Sequence, residues 1–331
     1  RGLGIHMKTM NILITNVSYQ ASASFIKMLR TSKKYKCTIY GCDVIPKGLS
    51  SGSILVDHFE HIKSDNSEKK YINSIFDICS KYKIDLVISA EENDLILFKK
   101  YNLTCSYPSN IVSSELIKLF NDKYDSNSFM KTLGLIIPNT IMNNKDFQQS
   151  SSDNFIQRKR ISCSSRGIKY FGRDEFNENS IFYSSDYITQ ECINGDMYTI
   201  DVLCDSLGKP KMIIPRISLS LKDGTTFKCI FKENKQLIEI CKKMYTRVKI
   251  PGFSNIQFIV KDSVPYFIEL NPRAAATVIA SSLVSTNWMD LYIDNCVFKI
   301  PMPSYNELMS FVKWNTIISR YYQETLWRNE L

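Results

Sequence analysis

Apolar residues along this chain switch between two periods. Between residues 11 and 90, short runs rich in β-branched residues, NILITNV (11–17), CTIYGCDV (37–44) and IDLVISA (84–90), alternate with ASFIKMLRTS (23–32) and KKYINSIFDICSKYK (69–83), whose apolar residues recur every three to four positions. The first kind predicts strands and the second amphipathic helices, and their βαβαβ order predicts a parallel, doubly wound sheet. SSELIKLFNDKYDSNSFMKTLGLIIPNT (113–140) reads as a helix ending at Gly134 and closed off by Pro138. From about 153 the texture becomes antiparallel strands and turns, among them NFIQRKRI, DYITQEC, MYTIDVLCD and KMIIPRISLSL. They are followed by a helix over 233–248 and two more strands, FSNIQFIVKD and VPYFIELN. The class is therefore α/β, with an α+β second part. The end of the chain, from Glu307 to Leu331, reads as a helical tail rich in aromatics, which either packs across the N-terminal domain or forms a homodimer contact.

One strand stops reading like a strand at its end. In VPYFIELNPR (264–273), Glu269 sits among Phe267, Ile268 and Leu270, and Asn271, Pro272 and Arg273 follow at once. The short turn KDSV makes a hairpin of the last two strands, and alternation puts Glu269 and Asn271 on one face, with Gln257 on the partner strand. Three oxygen donors of this kind suit a hard cation such as Mg2+, which keeps waters and substrate phosphates in its other positions. Arg273, just beyond, suits a transferring phosphoryl group. The alternative is an ion pair between Glu269 and a nearby lysine, with Asn271-Pro272 serving only as a turn.

Composition narrows the chemistry. The 331 residues are 44% hydrophobic and 23% charged, ordinary for a globular protein. No apolar run approaches the ~20 residues that span a bilayer, and residues 1–9 are set aside as a tag or flexible extension, so a cytoplasmic protein is expected. Ten cysteines form no C-x-x-C pair, and His58 and His61 have no cysteine at zinc spacing. With three histidines in all, mechanisms built on a histidine base lose ground. The net charge of +9 is dispersed, its densest knot being Arg158-Lys159-Arg160, which fits phosphate on a small molecule better than a nucleic acid. The first turn, TNVSYQASAS (15–24), contains no glycine, which argues against a dinucleotide seat there.

Taken together these segments resemble the ATP-grasp superfamily, in particular its carbamoyl phosphate synthase-like branch, over nearly all of residues 10–300. IELNPR looks like the family's E-x-N-x-R metal and phosphate motif, and SNIQF like the strand supplying a further metal ligand. The resemblance implies a pre-ATP-grasp Rossmann-like domain over 10–105, an ATP-grasp subdomain with the phosphate lid over 106–190, a second subdomain with the metal site over 191–300, and the tail over 301–331. It implies that Lys123, in the D-K helix, contacts nucleotide phosphate. RKRISCSSRGI resembles the lid: counted back from SRGI, the strand lysine of the family falls on Arg158, with Lys159 the neighbouring register, and Ser165 and Gly167 lie in the lid itself. Ser162, Ser164 and Ser165 stand where the family often has glycine. TQECINGDMYTIDV resembles the hinge, so Glu191, Cys192 and Ile193 would meet the adenine edge and Asp196 the ribose hydroxyls. Arg216 matches an arginine that in relatives faces the acyl phosphate and acid substrate; a solvated strand arginine is its other reading. The implied cofactors are ATP and Mg2+, with Mn2+ the alternative ion. The implied activity is an ADP-forming ligase joining a small carboxylate to an amine or ammonia through an acyl phosphate. A kinase and a non-catalytic nucleotide-binding protein are the rival readings.

Overall fold

A computed structural model describes residues 7–63, 67–107, 112–161, 167–176, 182–222 and 224–321. The N-terminal sheet is built from β1 (Lys8–Thr15), β2 (Tyr35–Asp43), β3 (His58–His61) and β4 (Leu86–Ile88), in the order β3-β2-β1-β4 with every neighbour parallel. Helices α1 (Gln20–Arg30) and α2 (Glu68–Tyr82) cover its two faces. Strand alternation sorts β1 between them: Ile12 and Ile14 pack with α1, and Leu13 packs with α2. β3 was not expected, because HFEH carries no alternating apolar pattern; it gains its place by pairing with the edge of β2.

After α3 (Glu92–Lys100) and the short α4 (Leu103–Ser106), the segment read as one helix is two, α5 (Ser114–Asn121) and α6 (Lys123–Thr132). The break is at Asp122, which is extended (φ −89°, ψ 111°) and accepts from the N–H groups of Tyr124 and Asp125, the ordinary N-cap bargain of an aspartate. A small antiparallel sheet follows, β5 (Thr140–Ile141), β6 (Asn154–Lys159), β7 (Lys169–Gly172) and β8 (Tyr187–Glu191), in the order β5-β8-β6-β7, with α7 (Asn144–Gln149) against it.

The large sheet is antiparallel, β13-β12-β9-β10-β11-β14, formed by β9 (Asp196–Cys204), β10 (Pro210–Lys222), β11 (Thr225–Phe231), β12 (Gly252–Lys261), β13 (Val264–Asn271) and β14 (Thr316–Ser319). α8 (Lys235–Tyr245) lies on one side; α9 (Val278–Leu283), α10 (Trp288–Cys296) and α11 (Tyr305–Ser310) follow β13 in the chain. The expected helical tail is corrected here. α11 ends at Ser310, Asn315 turns the chain at φ 60°, and β14 pairs with the open edge of β11, where TIIS satisfies backbone groups that a helix would leave unpaired. Residues 322–331 lie outside the described residues. One apolar core joins the N-terminal sheet to the large sheet, with Phe25 against Phe253 and Phe253 beside Trp288. Burial pushes the thiols of Cys42, Cys79, Cys204 and Cys241 up, as for inert core hydrophobes. Among the described residues no helix is long and apolar enough to cross a membrane.

Candidate active site

The β12–β13 hairpin turns at Asp262 and Ser263, both left-handed (φ 49° and 65°), the geometry that matches the twist of the strands. Gln257 then lies directly opposite Glu269, and Asn255 opposite Asn271. Phe258 pairs with Phe267, so Ile268 is the unpaired residue of a bulge, and its carbonyl accepts from Arg158 Nη2 at 3.4 Å. Asn271 Nδ2 donates to Glu269 Oε1 (3.1 Å) and Asn255 Oδ1 (3.2 Å), and its Oδ1 accepts from Arg273 Nη2 at 3.4 Å. The buried Asn255 in turn donates to the Arg273 carbonyl at 3.0 Å. Sequence reasoning passed over Asn255, although it sits two residues before Gln257 and so on the same face.

The donor types fit a hard divalent ion: one carboxylate and the amide oxygens of Asn271 and Gln257. Among the described residues no three His, Cys, Asp or Glu side chains are grouped to hold a metal, so an ion here would depend on the amide oxygens beside Glu269.

Arg158 reaches this surface from β6 and is buried. Nη2 donates to Gln190 Oε1 at 2.7 Å, and Gln190 Nε2 donates to the Pro138 carbonyl and Thr140 Oγ1. Burial pushes the guanidinium pKa down, and Glu269 opposes that shift. Arg158 Nε is buried and has no hydrogen-bond partner among the described residues. Gln190, also missed from the sequence, is the residue that holds Arg158 in place.

Lys123 is the first residue of α6 and is buried; its N–H donates to the Arg160 carbonyl at 3.0 Å. Arg160 grips Asp122 (Nη2–Oδ2 2.7 Å, Nε–Oδ1 3.1 Å) and lies over the rings of Tyr124 and Tyr183. Burial alone would raise the Asp122 carboxyl, but Arg160 and the N–H groups of Asp125 and Tyr124 outweigh it and hold it below the usual range. Thus the start of α6 is pinned to the end of β6. Lys159 points to the other side of β6 and is exposed. A Cβ on Gly167 would meet its side chain at 3.7 Å, and Gly167 itself is left-handed at φ 75°. Ser165 lies outside the described residues.

β8 passes into β9 through Glu191, Cys192 and Ile193. The N–H groups of Glu191 and Cys192 donate to the carbonyls of Asn139 and Asn154, and the Glu191 carboxylate accepts from Asn139 Nδ2 at 2.9 Å and from Ser150. Gly195 follows because a Cβ there would sit 2.4 Å from the Val260 carbonyl; Asp196, exposed, pairs with Val260 as β9 begins. Arg216 is not among the converging groups. It is fully buried, with Nε on Asp201 (2.9 Å), Nη2 on Thr277 Oγ1 (2.8 Å) and Nη1 on Thr226 Oγ1 (3.3 Å). Ser281 also donates to Asp201. Burial opposes the charge of Arg216, but Asp201 prevails and its pKa rises. The solvated reading of Arg216 therefore fails, and its visible work is to tie the chain after Arg273 to the sheet.

The ATP-grasp domain family matches residues 120–277, and the PylC-like N-terminal domain family matches residues 12–106. The two matches lie end to end, a PylC-like N-terminal domain followed by an ATP-grasp domain. Among solved structures, N5-carboxyaminoimidazole synthetase from Staphylococcus aureus shares 15% identity at a TM-score of 0.66, over 92% of this chain and 81% of that one. Biotin carboxylase from Campylobacter jejuni, a β-γ-ATP complex, shares 14% at 0.68, over 93% and 74%. L-amino acid ligase from Bacillus licheniformis shares 14% at 0.65, over 94% and 78%. At such identities the likeness is one of fold.

Proposed function

We propose that the protein is an ATP- and Mg2+-dependent, ADP-forming ligase that joins a small, amino-acid-like carboxylate to an amine or ammonia. The observation that carries this reading is the shared face of Gln257, Glu269 and Asn271 on a hairpin whose Ile268 carbonyl accepts from the buried Arg158, a cation whose Nε has no partner among the described residues. The S. aureus synthetase has also been solved with ADP, and a 2-oxoglutarate carboxylase domain of the same fold with MgADP and bicarbonate.

In this mechanism Gln257, Glu269 and Asn271 hold Mg2+, or Mn2+ in its stead, which when bound neutralises phosphate oxygens. Arg158 and Lys123 bind nucleotide phosphates through charge-assisted hydrogen bonds. The backbone at Glu191–Ile193 meets the adenine edge, and Asp196 accepts from ribose hydroxyls. Lys159, Ser165 and Gly167 belong to the strand and lid over the phosphates. Arg273 orients and stabilises the phosphoryl group while a substrate carboxylate oxygen bonds to the γ-phosphorus and the β–γ P–O bond breaks, giving an acyl phosphate and ADP. The amine nitrogen then bonds to the acyl carbon, inorganic phosphate leaves, and the amine proton is released to water. Positioning and charge carry these steps, so no histidine or cysteine is required. Arg216 acts at one remove, through Thr277. The test is ADP release across a panel of carboxylic acids and amines with Mg2+. An amide product is expected; a stable phosphorylated acid would make it a kinase, and nucleotide binding with no turnover would overturn catalysis.

A further inference from the structure

We propose that Glu92, the first residue of α3, is the positioning residue for Arg273, so that the N-terminal domain completes a site otherwise carried by the large sheet; this rests on Arg273 facing the transferring phosphoryl group. The Glu92 carboxylate lies 3.0 Å from Arg273 Nε, and the two side chains are only 9% and 12% exposed. A buried carboxylate needs a reason. Capping α3 is not the reason, because Glu91 already accepts from the Asp94 N–H at 3.1 Å. Holding the domains together is not the reason either. That is done by the shared core, by Ser24 on the Ala276 carbonyl, by Ser32 on Asp290 and by Asn287 on the Met28 carbonyl. What Glu92 does is fix the edge of a planar fork. With Glu92 3.0 Å from Nε and the Tyr19 ring 5.7 Å from the guanidinium, Nη1 donates to the Ala274 carbonyl at 3.2 Å and Nη2 to Asn271 Oδ1 at 3.4 Å. An anionic oxygen beside Asn271 replaces those contacts without moving the fork.

The test uses the full chain with Glu92→Gln, Glu92→Asp, Arg273→Ala and the Glu92→Gln/Arg273→Ala pair. Glu92→Gln is expected to lower kcat for ADP release on the order of 10²-fold, as for a misplaced group, with the KM for Mg·ATP little changed. Glu92→Asp recovers part of the loss, and Glu92→Gln adds nothing once Arg273 is gone. A fall in thermal stability with an unchanged kcat, or equal losses in the presence and absence of Arg273, would overturn the proposal. Nitrogen NMR of the Arg273 Nε–H, assigned by its loss in Arg273→Ala, gives a second readout. A slowly exchanging signal abolished by Glu92→Gln supports the proposal and one that persists overturns it. This readout decides the matter even if the wild-type protein releases no ADP and the ligase reading falls.

Discussion

The two sheets that face each other across the candidate site are held by different amounts of core. The large sheet and the N-terminal domain share a single apolar mass in which Phe25, Phe253, Trp288 and Tyr292 interlock. The small sheet keeps a core of its own, Ile141, Phe147, Phe155 and Phe182 with Phe176 against them, its rings packed 5.1–5.4 Å apart. It joins the rest through the β8–β9 connection, the Asp122–Arg160 pin and the bonds of Arg158. The hairpin donors stand on strands whose Ile256, Phe258, Phe267 and Leu270 lie in another core on the large sheet, which also takes Met130 of α6, the helix that Lys123 begins. Arg158 stands on the small sheet. Ring-rich packing suits such a sheet, since a few aromatic side chains bury much area in a small body.

Four experiments break or sharpen this contrast. The largest effect is expected from core truncation. Phe253→Ala should cost about 3–5 kcal/mol and lower one cooperative transition of the whole protein. Phe155→Ala, of similar cost, should remove hydrogen-exchange protection from β5–β8 while the large sheet keeps its own. Loss of protection everywhere in both would show that the two sheets are one unit.

Glu269→Gln comes next. The change is nearly isosteric and the site is only half-buried, so thermal stability should hold while ADP release falls by about 10³-fold, or ~4 kcal/mol of barrier. Full activity would return Glu269 to the ordinary ion-pair reading.

Arg158→Met acts on the small sheet. It removes the charge while leaving Gln190 Oε1 without its donor, and should weaken Mg·ATP binding about 10-fold or more, as for one charge-assisted contact. Calorimetric titration measures it. Lys159→Ala should leave affinity nearly unchanged; the reverse pattern would shift the assignment by one residue.

The smallest effect is a pH dependence. Because the folded-state pKa of Asp122 is depressed, its contribution is fully present above the unfolded value of about 3.9 and is lost as pH falls through the lower, folded value. Exchange protection at the start of α6 should therefore stay level from neutral pH to about 5 and decline below about 4. Asp122→Asn should flatten that decline.

Much of this arrangement was legible before any coordinates, for local reasons. Period-two runs, the turn over Asp262 and Ser263 and the placing of Glu269 with Asn271 depend on residues close in the chain, and alternation would have yielded Asn255 as well. Asp122 as a cap had a local signal too, overridden by the strong helical period on both sides of it. Gln190 and Glu92 had none. Nothing near them in the chain says that one will hold Arg158 from 32 residues away or that the other will meet Arg273 from another domain.

By itself, then, the sequence determined which residue types could serve as oxygen donors and phosphate-side cations and on which strand face each would fall, because side-chain direction follows from backbone period alone. Only the tertiary structure decided which of those charges meets a carboxylate. Arg216 and Arg158 are both strand arginines and both buried, yet the fold gives Arg216 the carboxylate of Asp201 and engages it on every nitrogen. Among the described residues Arg158 receives a single amide oxygen and a distant carbonyl, and its Nε has no partner. The physical reason is that a buried charge is defined by what packs around it, and those neighbours come from strands and domains far apart in the chain.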